Sequence, residues 1–340
     1  MRITAFVITF ALLALIPVVL KGIPFSRTAF SDIRPDVFKR MTVLHPYDLA
    51  SVKVNHALSK PRFDVGVFGN SRVVAVGVKH LDIGDRSFFN FAVPGTSLRQ
   101  SVNLVDELAA HGKAPKLSII SFDNLEIDQY GNAYYPSAFS RWWQAGRDAF
   151  WALVNRPGDM LLLAHIVLDH IYAEWEALTD TWNAKSLWAR GAIQAPSLVP
   201  PLSKPRHAYI SDGSRPVKIP QNNSVDRFER PQQRMILLSP YMARDIERLA
   251  ALDGQSTRIL IYETHLETKS ASYFDANPSD AVIEKRRQFR TACERFGIAC
   301  YTAKERPLPE NGSPWEDCCH APADAIGQLI SGLVRKHATP

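Results

Sequence analysis

The sequence predicts an α/β protein, a three-layer α/β/α arrangement around a five-stranded parallel sheet, with a large mainly helical insertion and an N-terminal transmembrane helix. Three observations carry this reading. Short apolar runs at 63–68, 86–91, 116–122, 258–262 and 297–302 alternate with segments of helical periodicity, the pattern of a parallel sheet with crossover helices. That alternation is absent between about 128 and 240. Residues 3–20 carry no charge and are almost wholly apolar, long enough for one bilayer-spanning helix.

Composition narrows the function classes. The 340 residues are 46% hydrophobic and 22% charged, the balance of a globular protein with a substantial core rather than of a disordered chain. The net charge of +6 is spread without a block of like charge, so there is no nucleic-acid footprint. Residues 1–22 read as a transmembrane anchor or signal-anchor: no small-x-small cleavage site follows the apolar run, and Lys21-Gly22-Ile23-Pro24 stands there instead. Residues 23–62 form a connecting segment with a helix near 47–58, and 63–340 form the main domain.

Within that domain the first strand ends in Gly69-Asn70-Ser71-Arg72. The valine-rich stretch 73–78 then reads as the start of a crossover helix, which would aim free N–H groups past Ser71. A second strand at 86–91 is followed by a helix at 97–110 with Ser97 as its cap. The third strand, 116–122, runs into Asp123-Asn124. Helical runs at 138–154 and 159–178 belong to the insertion, which holds six of the seven tryptophans and then a proline-rich stretch. His165 and His170 lie on the second run and read as packing or surface residues. The tryptophans read as the insertion's own core, with a sugar-stacking or membrane-facing surface as the alternative.

Regular structure resumes with a helix at 240–252, ended by Asp253-Gly254. The fourth strand at 258–262 places His265 beyond its carboxyl end. A helix at 279–296, a strand at 297–302 and a closing helix at 322–336 complete the domain. Cys293 and Cys300 flank the end of the helix at 279–296, where the chain turns into the strand at 297–302. A disulfide and a pair of buried thiols are both open readings there. Cys318, Cys319 and His320 are consecutive and cannot converge on zinc, so no metal site is expected.

The chemistry lies at two distant points. Ser71 follows the first strand, where an open α/β sheet binds its ligands. Trp315-Glu316-Asp317-Cys318-Cys319-His320 precedes the closing helix. With Asp317 and His320 three residues apart at a turn, the carboxylate can hold the imidazole in one tautomer while the other ring nitrogen faces a nucleophile. Ser71, His320 and Asp317 then form a nucleophile, base and orienter.

This combination resembles the SGNH (GDSL-like) hydrolase superfamily. Gly69-Asn70-Ser71 stands at the Gly-Asp-Ser block, Asn90-Phe91-Ala92-Val93-Pro94-Gly95 at the glycine block, and Asp317-x-x-His320 at the final block. The ending through Gly327 further resembles membrane-anchored SGNH-like proteins of bacterial cell-surface polysaccharide acetylation. The resemblance implies a flavodoxin-like SGNH fold and acyl transfer from an acyl-serine, with the backbone N–H groups of Ser71 and Gly95 as oxyanion donors. Arg72, beside the serine, and His265, at the carboxyl end of the fourth strand, are the candidate substrate-binding residues, a surface-loop residue without a role being the other reading of His265. It implies no cofactor. It also implies a polysaccharide or acylated-sugar substrate, a periplasmic or other extracytoplasmic body tethered to the cytoplasmic membrane, and envelope acetylation or export proteins as partners.

One block departs from the family. Where Gly-x-Asn-Asp is expected, Asp123 stands at the Asn position and Asn124 one place late. An ionised carboxylate donates no hydrogen bond and opposes a developing oxyanion. Either Asn124 reaches the site, or Asp123 is held neutral, or the hole is built differently. Hydrolysis and transfer to a sugar hydroxyl both remain open, as does a non-catalytic membrane-tethered polysaccharide-binding or assembly scaffold.

Overall fold

The computed structural model describes residues 46–123, 138–155, 212–214, 242–276, 280–309, 315 and 319–337, with a few single positions between 158 and 171. The apolar run 3–20, most of 159–178 with His165 and His170, and the tryptophans at 175, 182 and 188 lie outside the described residues. Among the described residues no helix is long and apolar enough to cross a membrane.

In chain order the elements are α1 (Pro46–Leu58), β1 (Val65–Phe68), β2 (Phe88–Asn90), α2 (Leu98–Ala110), β3 (Leu117–Phe122), α3 (Ala138–Asn155), α4 (Met242–Leu252), β4 (Arg258–Glu263), α5 (Thr268–Ala276), α6 (Asp280–Phe296), β5 (Ala299–Tyr301) and α7 (Ala323–His337). The five strands form one parallel sheet in the order β2-β1-β3-β4-β5. Strands β1 and β3 are buried at every residue, which is why they read as unbroken apolar runs rather than as alternation. Strand order reverses at β1: the chain first goes out to β2, then returns past β1 to β3. The carboxyl ends of β1 and β3 therefore flank the crevice where such sheets bind ligands.

Helix α2 packs on α4, and α4 on α6, while α7 packs against β3 and the 3-10 turn Val78–His80. Gly327 makes that last contact possible, since a Cβ there would lie 2.2 Å from the carbonyl oxygen of His80. The α2–α4 seam is joined by buried Arg99, whose Nε donates to Asp245 at 2.8 Å.

The stretch after Ser71 departs from expectation. Residues 71–75 form successive turns, and only Val78–His80 is helical, as one 3-10 turn. Asn90 supplies the reason. Its Nδ2 donates to the carbonyls of Val73 and Val76, each at 2.8 Å, capturing acceptors that an α-helix would use internally. Its Oδ1 accepts from the N–H of Ala92 at 2.8 Å. Ser97 sits at the N-cap of α2 as expected, but its hydroxyl makes no capping bond. Helix α5 was not anticipated at all.

Cys293 and Cys300 are joined in a disulfide, with Cα atoms 6.1 Å apart. Cys319 is also disulfide-bonded, and Cys318 lies outside the described residues. The insertion is stitched back to the sheet edge at residues 212–214. The N–H of Asn90 donates to the Asp212 carbonyl at 2.7 Å, and that of Val78 to the Asp212 carboxylate at 2.7 Å. Gly213 approaches β2 so closely that a Cβ would meet the Asn90 carbonyl oxygen at 2.3 Å.

Candidate active site

The floor of the site is the turn after β1. Gly69 has φ +148°, and its missing side chain leaves room for Ser121 of β3. The Asn70 carboxamide accepts from the N–H of Arg72 at 3.0 Å, tightening the turn that presents Ser71. The neighbouring wall is the loop after β2, whose Val93 N–H donates to the Gly69 carbonyl at 2.8 Å. That bond ties the loop bearing Gly95 to the loop bearing Ser71. Gly95 itself is exposed, with φ +71°, a left-handed conformation that suits glycine.

This loop has a further support. Lys53 of α1 is fully buried, and its ammonium donates to the carbonyls of Asn90, Ala92 and Gly213 at 2.8, 2.6 and 2.9 Å. One buried cation thus joins α1, the post-β2 loop and the insertion. Its cost of desolvation is offset by three charge-assisted bonds.

His320 precedes α7. Its Nε2 lies 2.9 Å from Ser71 Oγ, across 249 residues of sequence. Both side chains are partly exposed, so a ligand can reach them. With the ring proton on Nδ1, the serine hydroxyl donates to Nε2, the geometry of a nucleophile and its general base. Asp317 and Asn124 lie outside the described residues.

Arg72 and Asp123 meet beside this pair. Arg72 Nε donates to Asp123 Oδ2 at 2.5 Å, and both side chains are 8% exposed. The same guanidinium donates from Nη1 to the Cys319 carbonyl at 3.1 Å and, at 3.4 Å, to that of His265. Asp123 thus faces a guanidinium rather than an open oxyanion position. Arg72, expected at the substrate, is turned inward. The ring of His265 is engaged elsewhere: its Nε2 donates to the Arg306 carbonyl at 2.6 Å. Burial pushes the His265 pKa down, partly opposed by backbone hydrogen bonds at Arg306 and Ala303.

A cavity of about 960 Å³ opens over the carboxyl ends of β3, β4 and β5; it reaches Asp123, while Ser71 and His320 are not among its lining residues. Asp123, Thr264, His265, Arg290, Lys304 and Trp315 are among the residues that line it. Among the described residues no group of three or more His, Cys, Asp or Glu could hold a metal ion.

Sequence reasoning brought Ser71, Arg72, Asp123, His265 and His320 to one region, and the structure places Ser71 against His320 and Arg72 against Asp123. It missed Lys53, Asn90 and Asp212, which act over sequence separations too long for any local signal. No protein-family model, curated protein or solved structure matches this chain.

Proposed function

We propose that the chain is a serine-dependent acyltransferase or esterase of the SGNH type, built on the flavodoxin-like form of the α/β fold. We further propose that it acts on acetylated groups of a cell-envelope or exported polysaccharide. The observation that carries this reading is the 2.9 Å approach of His320 Nε2 to Ser71 Oγ at the carboxyl edge of the sheet. In the first half-reaction, Ser71 Oγ bonds to the acyl carbon as His320 Nε2 takes its proton. The acyl–oxygen bond to the leaving alcohol then breaks, and that alcohol takes the proton from His320. In the second, water or a sugar hydroxyl gives its proton to His320 and attacks the acyl-serine, and Ser71 recovers its hydrogen.

Backbone N–H groups of Ser71 and Gly95 serve as oxyanion donors, each worth about 3 kcal/mol in such sites. The cavity over the carboxyl ends of β3, β4 and β5, which Asp123 also lines, accepts the sugar, with Trp315 offering an aromatic face. Asp317 orients His320. The apolar run 3–20 anchors the body outside the cytoplasmic membrane. In this reading the chain needs no cofactor.

The test is covalent. A fluorophosphonate should label the full chain once, at Ser71, and Ser71→Ala and His320→Ala should each abolish labelling. An unlabelled wild-type chain, together with unaltered polysaccharide binding by Ser71→Ala, would move the protein to the tethered-scaffold reading. The specific observation favouring that alternative is the carboxylate of Asp123, held by Arg72 where the family places an amide donor.

A further inference from the structure

We infer that Arg72 is a positioning residue whose guanidinium, paired with Asp123, clamps the chain around Ser71 to the chain around His320, and that Asp123 serves this clamp rather than the oxyanion. The inference rests on the acyl-transfer reading of the same site and adds to it the device that holds its two halves together.

Ser71 and His320 come from opposite ends of the domain, and a 2.9 Å approach between side chains fixes neither backbone. The residues beside them are bonded directly. Arg72 follows Ser71, Cys319 precedes His320, and the Arg72 Nη1 donates to the Cys319 carbonyl at 3.1 Å. Its second face is held by Asp123 at 2.5 Å, and the His265 carbonyl lies within reach at 3.4 Å. One planar cation therefore touches the loop after β1, the end of β3, the loop after β4 and the loop before α7.

Arginine suits this task because its five N–H donors are fixed in one plane and remain charged when buried. Lysine at the same position would carry the charge without the fork. The counter-charge is as necessary as the fork, because a buried cation deprived of its partner is costly. An amide at position 123, the group expected in the family, would keep a hydrogen-bond acceptor but leave the guanidinium uncompensated. Asp123 thus has a reason to be a carboxylate that does not involve an oxyanion.

The geometry also limits what Asp123 can contribute to chemistry. Its Oδ2 accepts from Arg72, so that oxygen is turned to the guanidinium rather than to a developing negative charge. The oxyanion is left to the backbone donors of the two loops, and those loops are the ones braced by Asn90 and Lys53.

The experiment uses the full chain with Arg72→Gln, Arg72→Lys, Asp123→Asn and the double variant Arg72→Gln/Asp123→Asn. Hydrolysis of 4-nitrophenyl acetate is measured per fluorophosphonate-titratable serine, so that loss of folded protein does not count as loss of rate. Misplacing the base by about 1 Å should lower kcat roughly 10²-fold. We expect that loss for Arg72→Gln with KM within about threefold, a kcat loss for Asp123→Asn, an intermediate value for Arg72→Lys, and a double variant no worse than Arg72→Gln, since members of one unit are non-additive.

A rise in kcat for Asp123→Asn would overturn the inference, because it would mean that a restored amide donor helps the oxyanion. Losses that multiply in the double variant would overturn it too, as would a large rise in KM at unchanged kcat, which would assign Arg72 to substrate. A crystal structure of Asp123→Asn gives a readout that needs no activity and survives failure of the acyl-transfer reading. There the Ser71 Oγ to His320 Nε2 separation should leave hydrogen-bond range, beyond about 3.5 Å. An unchanged separation refutes the clamp, whether or not the wild-type chain is an esterase.

Discussion

Gly69→Ala is the substitution that probes the nucleophile turn most directly. A Cβ built on Gly69 would lie 1.8 Å from Ser121 Oγ, 3.0 Å from Val73 Cγ2 and 3.1 Å from Ser121 Cβ, at φ +148°. Ser121 cannot yield easily. It lies in the middle of the sheet, opposite Tyr262 of β4, and is only 4% exposed. Backbone strain at such a φ costs roughly 1–3 kcal/mol, and overpacking a closed core adds about 1–3 kcal/mol more. Gly69→Ala should therefore lose about 2–6 kcal/mol by urea titration. Its kcat on a simple acetyl ester should fall on the order of 10²-fold, because the turn that presents Ser71 must shift. Ser121→Ala should be nearly neutral alone, since its buried hydroxyl has no hydrogen-bond partner among the described residues. In combination it should return the overpacking share while the φ strain remains. If Gly69→Ala stays within about 0.5 kcal/mol of wild type, or if Ser121→Ala restores nothing, the close approach between β1's end and β3 is not what demands glycine.

Asn90→Ala should cost about 3 kcal/mol in urea titration, because it orphans the carbonyl of Val76 and the N–H of Ala92 and leaves the Val73 carbonyl only its bond from the Val76 N–H. Cys293→Ser/Cys300→Ser opens a short loop, with a sequence separation of seven, and should lower stability by about 2–3 kcal/mol without changing kcat per titratable serine. His56, stacked on Phe89 at 4.9 Å, has its pKa pushed down to about 4 by burial, with the nearby Lys60 charge adding to the effect. The unfolded chain therefore binds the proton first. Stability contributed by the neutral ring is fully present above pH about 6.5 and is lost as pH falls toward about 4. His56→Gln should flatten the urea midpoint across that window.

How legible each part was follows from the reach of the interactions involved. Strands β1 and β3 are buried runs bounded by turns, so their existence is written locally. The nearness of Cys293 and Cys300 was legible for the same reason, as two cysteines flanking one tight turn, but the turn alone left a disulfide and two buried thiols equally open, and the structure shows the bond. Ser71 and His320 were legible because each stands at a boundary between local elements. The stretch 73–78 was misread because its valines fit a helical face equally well, and only Asn90, brought in by the parallel pairing of β1 with β2, decides otherwise. Helix α5 has the sequence Thr-Lys-Ser-Ala-Ser-Tyr-Phe-Asp-Ala, whose serine, threonine and aspartate compete for backbone groups and give a weak helical signal. Lys53 was invisible in principle, since a lysine within an α1 sequence gives no hint of acceptors as far away as Gly213.

The register of the sheet explains why an aspartate at 123 and an arginine at 72 form one feature. Phe68 pairs with Ile120, and continuing that register brings Ser71 level with Asp123 as both strands leave the sheet. Phe122 pairs with Glu263, which sets the loop carrying His265 beside the same point. Any side chain at 123 must therefore share the crevice with the nucleophile turn, on the side from which the His320 loop descends. An amide there can point at the oxyanion without a counter-ion. A carboxylate there repels the oxyanion unless a cation holds it, and the nearest chain position able to supply one without crossing Ser71 is the residue that follows it. Arg72 fills that position and, having neutralised Asp123, still has donors left for the Cys319 carbonyl. The departure at Asp123 and the inward turn of Arg72 are then two halves of one electrostatic solution. Replacing either residue alone should therefore separate Ser71 from His320, and replacing both should do no more damage than replacing Arg72.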